Sequence, residues 1–308
     1  MPSHSCIVDV SYPRLDRYIS EVLLLLSRSQ IKARKLKAIL NGKDVKLSCN
    51  VKSGDALELS WKDSPPENII PQDIPLDIIY EDDKCVVVNK VQNMVVHPGA
   101  GNRQETLANA ILFRMNSKLE GVRPGIVHRL DKDTSGVMIA AYDEETHAFL
   151  AQQFKSRKVR KTYIAIVCGI PRLNGVSEKK GRIETFIARD PRDRKKFAVC
   201  QRGQGRGKNA LSFYKVIKSW KNHSLVLLRP KTGRTHQLRV HMRHLGCPIL
   251  GDSVYGGQDK IFPQATLMLH AKRLEITLMG EKSPTIFSVP LPRRFTQYLE
   301  FLDAGQGD

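Results

Sequence analysis

The stretch GIVHRLDKDTSG, residues 125–136, sets a histidine, an arginine, two aspartates, a threonine and a serine between apolar runs. Asp131 and Asp133, two positions apart, face the same side of an extended chain at about 7 Å, a spacing that suits a two-carboxylate or metal site. A single nucleophilic carboxylate fits the same loop. The plain alternative is a turn in which the aspartates and Thr134 close local hydrogen bonds. Metal is the weakest of these readings. His236, His241 and His244 stand far along the chain, and no third carboxylate is tied to them by spacing.

A second polar constellation is KTGRTHQLRVHMRHLGCP at 231–248. Its pattern predicts a helix capped by Thr235, with Leu238, His241 or Met242, and Leu245 on the inner face, ended by Gly246 and Pro248. Arg234 then sits just before the helix, at the end of the strand-like SLVLLRP. An arginine held there can pair with a loop aspartate, keep it ionised and aim it. A surface ion pair is the bland alternative and contributes little.

The elements that must position these residues are legible as short runs. IVHRL and GVMIAA flank the aspartate loop as strands, and catalytic groups are commonly held between rigid elements in this way. Further strands are expected over DIIYEDD, CVVVNK, KTYIAIVCG and SLVLLRP, with helices over ETLANAILFRM and EETHAFLAQQF. These imply an α+β catalytic domain on a mixed, largely antiparallel sheet with flanking helices, over residues 74–302. Before it, residues 1–61 read as a small α/β unit: a helix at RLDRYISEVLLLL, a basic helix at SRSQIKARKLKAI, and a hairpin turn at NGKDV. Residues 62–73 are a proline-rich linker, and 303–308 a tail.

The net charge of +19 is unevenly placed: residues 28–46 carry +6, residues 155–208 carry +13, and the remainder sums to zero. Positive charge clustered in this way fits a polyanion, with nucleic acid favoured over a membrane surface. No apolar run reaches the ~18–20 residues of a membrane span, and no signal pattern opens the chain, so a cytoplasmic protein is expected. The six cysteines show no CxxC spacing and read as buried free thiols. Without a self-pairing stripe, a monomer is the default expectation.

Taken together, HRLDKDTSG at 128–136 and TGRTHQLRVHMRHLGCPILGDSVYGG at 232–257 resemble the hallmarks of the RluA-type family of RNA pseudouridine synthases. PQDIPLDIIYEDD, VVHPGAGN, FKSRKVRKTYIAIVCG and LHAKRLEI extend the resemblance over about residues 71–295, most like the branch that modifies large-subunit ribosomal RNA. Val91 departs from it, standing where the family usually has proline. RLDRYIS, SRSQI, NGKDV and the KSGD turn are similar to an alpha-L RNA-binding domain of ribosomal-protein type, although KARKLKAIL lacks an expected glycine.

The resemblance implies a reaction that detaches uracil at nitrogen 1, rotates it and rejoins it through carbon 5, with no cofactor and no metal. It implies Asp131 as the catalytic carboxylate, acting on sugar or base, Arg234 as its fixed cation, and Tyr163 as a general base or a surface for the flipped base. Arg129 is expected to fill the gap left by the extruded base. His128 and Lys161, with Arg28, Lys32, Arg34 and Lys35 of the N-terminal unit, complete the expected RNA-binding set, the partner being ribosomal or transfer RNA. Asp133 becomes a loop-shaping residue. Two other functions use the same residues: a non-catalytic RNA-binding ribosome-assembly factor, and an RNA glycosidase or nuclease working with Asp131 and Asp133.

Overall fold

The computed structural model describes residues 2–23, 25–26, 31, 34–62, 69–99, 101–115, 125–173, 175–193, 196–201 and 207–305. Contacts divide the chain into two compact units, Met1–Asn68 and Ile69–Asp308.

In the first unit, β1 (Ser3–Ile7), β2 (Lys37–Leu40), β3 (Lys43–Asp44) and β4 (Ala56–Ser60) form an antiparallel sheet in the order β1-β4-β2-β3, accompanied by helix α1 (Leu15–Glu21). Leu15, Tyr18 and Ile19 of α1 share a core with Leu57, Leu59 and Trp61. Asn41 and Gly42 both take positive φ, 50° and 76°, so NG closes the β2–β3 hairpin as the two-residue turn that matches strand twist. The basic helix expected over SRSQIKARKLKAI is corrected at its C-terminal end. Lys37–Leu40 is a strand, because pairing with β4 buries Ala38 opposite Leu59 and overrides the helical spacing. Positions 27–30, 32 and 33 of that expected helix, and with them Arg28 and Lys32, lie outside the described residues.

The second unit runs β5 (Ile78–Glu81), β6 (Cys85–Lys90), α2 (Leu107–Arg114), β7 (Gly125–Ile126), β8 (Ser135–Ala141), α3 (Glu144–Lys155) and β9 (Arg160–Cys168). It continues through β10 (Arg172–Leu173), β11 (Val176–Ser177), β12 (Lys180–Arg189), β13 (Phe197–Cys200), β14 (Lys208–Ser219) and β15 (His223–Pro230). Helix α4 (Gln237–His244), β16 (Leu269–Ile276), β17 (Thr285–Ser288) and α5 (Arg293–Asp303) close it. One large sheet runs β13-β12-β14-β15-β9-β16-β8-β6-β5, with β17 beside β16 and β7 beside β8. Among the described strands of this sheet, only β16 and β8 pair in parallel. The fold is therefore α+β on a mixed, largely antiparallel sheet.

The burial patterns explain the central strands. VVV of β6, all of β8 and YIAIV of β9 are buried without alternation, as strands covered on both faces must be. β14 alternates instead, burying Ala210, Ser212, Tyr214 and Val216 and turning its other face outward. Gly136, Ala271, Tyr163 and Leu228 form one row across β8, β16, β9 and β15. Gly136 has φ 122°, and a Cβ there would lie 2.3 Å from the Ala271 carbonyl oxygen, so the loop before β8 reaches β16 only with glycine at this position. That row brings the aspartate loop beside the tyrosine of β9 and the turn after β15. No helix among the described residues is long and apolar enough to cross a membrane.

Candidate active site

A cleft opens over this row, lined by Arg129, Asp131, Thr134, Lys161, Tyr163, Pro230 and residues 232–239. Asp131 is the only carboxylate lining it among the described residues. Its side chain is 20% exposed, open enough to meet a substrate. Arg239 Nη1 lies 3.7 Å and His236 Nε2 4.0 Å from Asp131 Oδ2.

Arg239 is the residue that sequence reasoning missed. Its Nε and Nη2 donate to Asp252 Oδ2 at 2.8 Å and Oδ1 at 2.7 Å, a bidentate pair in which the carboxylate side chain is 0% exposed. Asp252 Oδ1 also accepts the Val254 and Tyr255 amides. Burial opposes the guanidinium's charge, but Asp252 and Asp131 hold its pKa above the ordinary value. One nitrogen is thus left to face Asp131 from a rigid mount.

The assignment of Arg234 as counter-charge is corrected accordingly. Arg234 lines the cleft, but its Nε donates to the Asn209 carbonyl at 3.0 Å, and no ion pair joins it to Asp131 among the described residues. The helix begins one residue later than expected, with His236 rather than Thr235 at the cap and at φ 55°. Gln237 secures that start: its Oε1 accepts from Thr232 Oγ1 and the Arg234 amide, and its Nε2 donates to the Leu211 carbonyl and Ser212 Oγ. Leu238, His241, Met242 and Leu245 are buried as the spacing predicted. His236 Nδ1 meets Tyr255 Oη at 2.8 Å, and that oxygen also accepts the Phe197 amide. The phenol thus holds the ring through Nδ1 and turns Nε2 toward Asp131.

Tyr163 is buried at 8% exposure, and burial, then Asp131, push its pKa well above the phenol's ordinary value. Both expected roles, general base and surface for the flipped base, place Tyr163 where the structure has it, lining the cleft beside Asp131. His128 lines the groove beside the cleft and also braces the loop. Its Nε2 accepts the Ile139 amide at 3.1 Å, its ring stacks on Phe154 at 4.6 Å, and burial pushes its pKa down to about 3, so it is a neutral brace for the loop. Lys161 lines the cleft with its pKa lowered by burial and no acidic partner among the described residues. Arg129 is exposed at the rim. Arg34 and Lys35 belong to the first unit, Arg34 half-buried with Nε unpartnered and Lys35 exposed.

The loop itself is clamped from below. Lys90, 1% exposed, donates to the Val91, Met94 and Lys132 carbonyls at 2.9, 2.8 and 3.1 Å. Gln92 Nε2 donates to the Asp133 and Leu267 carbonyls, and Ser135 Oγ contacts His270 Nδ1 and accepts from Arg294. Thr134 closes the turn through its amide to the Asp131 carbonyl, 3.1 Å. Away from the cleft, Cys168, His223 and Asp259 bring donor atoms within 4.8 Å of one another. They form a hydrogen-bond network, because Asp259 Oδ2 takes His223 Nε2–H and the Cys168 thiol while Oδ1 takes the Ile261 and Phe262 amides. All six cysteines are free, but only Cys85 and Cys247 are buried.

With this geometry in place, known proteins can be compared. A family model described as RNA pseudouridylate synthase matches residues 84–244. The ribosomal large subunit pseudouridine synthase D of Borreliella burgdorferi is 45% identical over 297 residues, covering 93% of this chain and 88% of that one. The protein of the same description from Xanthomonas campestris is 35% identical over 303 residues, covering 94% and 88%. Among solved structures, human RNA pseudouridylate synthase domain containing 4 superposes with a TM-score of 0.58 at 28% identity, over 73% of this chain and 92% of that one.

Proposed function

Because the chain belongs to the RNA pseudouridylate synthase family, isomerases that make pseudouridine, we propose that it modifies uridines of large-subunit ribosomal RNA with Asp131 as the reacting carboxylate. The observation that carries the site assignment is one carboxylate among the described residues of the cleft, faced at 3.7 Å by a guanidinium fixed from behind by Asp252. The names of the relatives and the two basic segments support ribosomal RNA, and the bacterial relatives support a cytoplasmic location. In the reaction the N1–C1′ bond breaks, a C5–C1′ bond forms, C5 gives up its proton and N1 takes one. Removal of the C5 proton is assigned to Tyr163 or Asp131, both of which line the cleft. Tyr163 offers its ring to the flipped base, Arg129 fills the gap in the stack, and Lys161 and Arg234 hold phosphate. We assign residues 1–61 to RNA binding, through Lys35 and the other basic side chains there, and 74–302 to catalysis.

The test is to incubate the protein with total RNA from cells lacking it and to map pseudouridine at nucleotide resolution. New pseudouridines in large-subunit RNA are expected. Strand cleavage would instead favour a glycosidase or nuclease, and unmodified but bound RNA a non-catalytic assembly factor.

Lys90 gives a second expectation. Burial draws its pKa down from 10.5 to about 8, against the raising influence of Asp133 and Asp131. Between those values the unfolded chain holds this proton and the folded chain does not, so the group's contribution to stability rises with pH. Over the same interval the neutral amine has only two N–H groups for three carbonyls, which loosens the catalytic loop. Turnover is therefore expected to fall above pH about 8 with no parallel loss of stability. Lys90→Met, which orphans all three carbonyls, is expected to lose about 2–4 kcal/mol in denaturant unfolding and to lack that alkaline limb in its pH–rate profile.

A further inference from the structure

A second groove adjoins the cleft and shares Arg129, Lys161, Tyr163 and Arg234 with it. Lys155, Arg157 and Lys231 extend its wall, so among the described residues six cations line it and no carboxylate does. None of the six makes an ion pair among the described residues. Cations left without acids along one groove are matched to a ligand that supplies several negative charges in a row. Phe154, half-buried, gives the same groove apolar surface, which a sugar or base can cover while its phosphates face the cations.

Arg157 supplies an independent observation. It follows α3 at φ 59°, with its amide donating to the Phe154 carbonyl at 3.2 Å and the Lys158 amide to the Gln153 carbonyl at 3.0 Å. This is the pair of bonds that ends a helix over a left-handed residue, a position glycine occupies without steric cost and an arginine only with it. The backbone thus gains nothing from arginine here, whereas the exposed guanidinium lines the groove.

We propose that this groove receives the phosphodiester backbone of the substrate RNA strand flanking the target uridine, with Arg157, Lys155 and Lys231 as its phosphate contacts. The proposal rests on the reading of the chain as an RNA-modifying enzyme and adds the path of the strand outside the reacting nucleotide. A contact of this kind weakens binding to all sequences alike and shows in the salt dependence of affinity.

The experiment measures binding of unmodified ribosomal RNA, from cells lacking the protein, across a salt series. It uses an Asp131→Asn background to hold the RNA without turnover. Arg157→Gly is expected to melt at the same or a higher temperature, yet to bind more weakly, with its log–log salt slope reduced by roughly 0.7–0.9. Adding Lys155→Ala and Lys231→Ala is expected to bring the total reduction to about 2–3. Unchanged slopes in both variants would overturn the proposal. So would a fall in melting temperature on Arg157→Gly, because it would make the arginine a structural residue. Pseudouridine formation by the unsubstituted protein is scored alongside: if it occurs while the slopes stay unchanged, the strand path alone is wrong, and if it is absent the functional reading fails first.

Discussion

Asp131→Asn is expected to abolish pseudouridine formation, a loss on the order of a thousandfold or more, while Asp133→Asn keeps most of it. The two aspartates are near neighbours in sequence with the same chemistry, so the contrast comes entirely from placement. Asp131 lines the cleft beside Tyr163, with Arg239 at 3.7 Å. Asp133 does not line the cleft, and its carbonyl is tied down by Gln92 at 2.9 Å. The asparagine is isosteric, and Arg239 keeps its bidentate partner Asp252, so the Asp131→Asn protein should melt within a few degrees of the parent. Mapping pseudouridine after incubation with RNA, with melting curves as the control, decides the matter. Equal losses in both variants would restore the two-carboxylate mechanism.

The C-terminal flank of the loop carrying Asp131 was readable, since GVMIAA lies in β8, whereas of the strand expected over IVHRL only Ile126 pairs, in the two-residue β7. Tyr163 was readable for the same reason, as part of the buried run of β9. What escaped was non-local. Arg239 looked like one more cation in a basic helix, because the residue that fixes it, Asp252, lies beyond the helix end in a separate turn. The parallel pairing of β16 with β8, which closes the floor of the cleft, joins Ser135 to His270, and no local spacing announces it. Lys37–Leu40 reads as helix in isolation and becomes strand because β4 offers it a ladder and a core. His128 carries the donor types of a binding residue, and only its bond to the Ile139 amide shows that one nitrogen is already used. Residue type identified which chemistry was available, and long-range partners decided which side chain performs it.

Arg239→Met should therefore be the most damaging single change outside Asp131, and its damage should divide into two separable parts. Removing the guanidinium strands Asp252, whose side chain is 0% exposed, and breaking a buried pair on one side costs about 3–5 kcal/mol. It also takes away the cation at 3.7 Å from Asp131. A second substitution separates these effects. Asp252→Asn added to Arg239→Met removes the stranded charge while an amide oxygen can still accept the Val254 and Tyr255 amides that the carboxylate now holds. Since it is the unpaired buried ion that is costly, the double variant should recover much of the lost stability in a denaturant titration. It should not recover turnover, because nothing in it faces Asp131 with a fixed positive charge and His236 lies at 4.0 Å with its pKa pushed down by burial. If turnover returned together with stability, Arg239 would be a structural strut and the electrostatic role at the carboxylate would have to pass to Arg234 or His236. If stability returned alone, the guanidinium acts on the reacting group, and Asp252 is the residue that keeps it aimed.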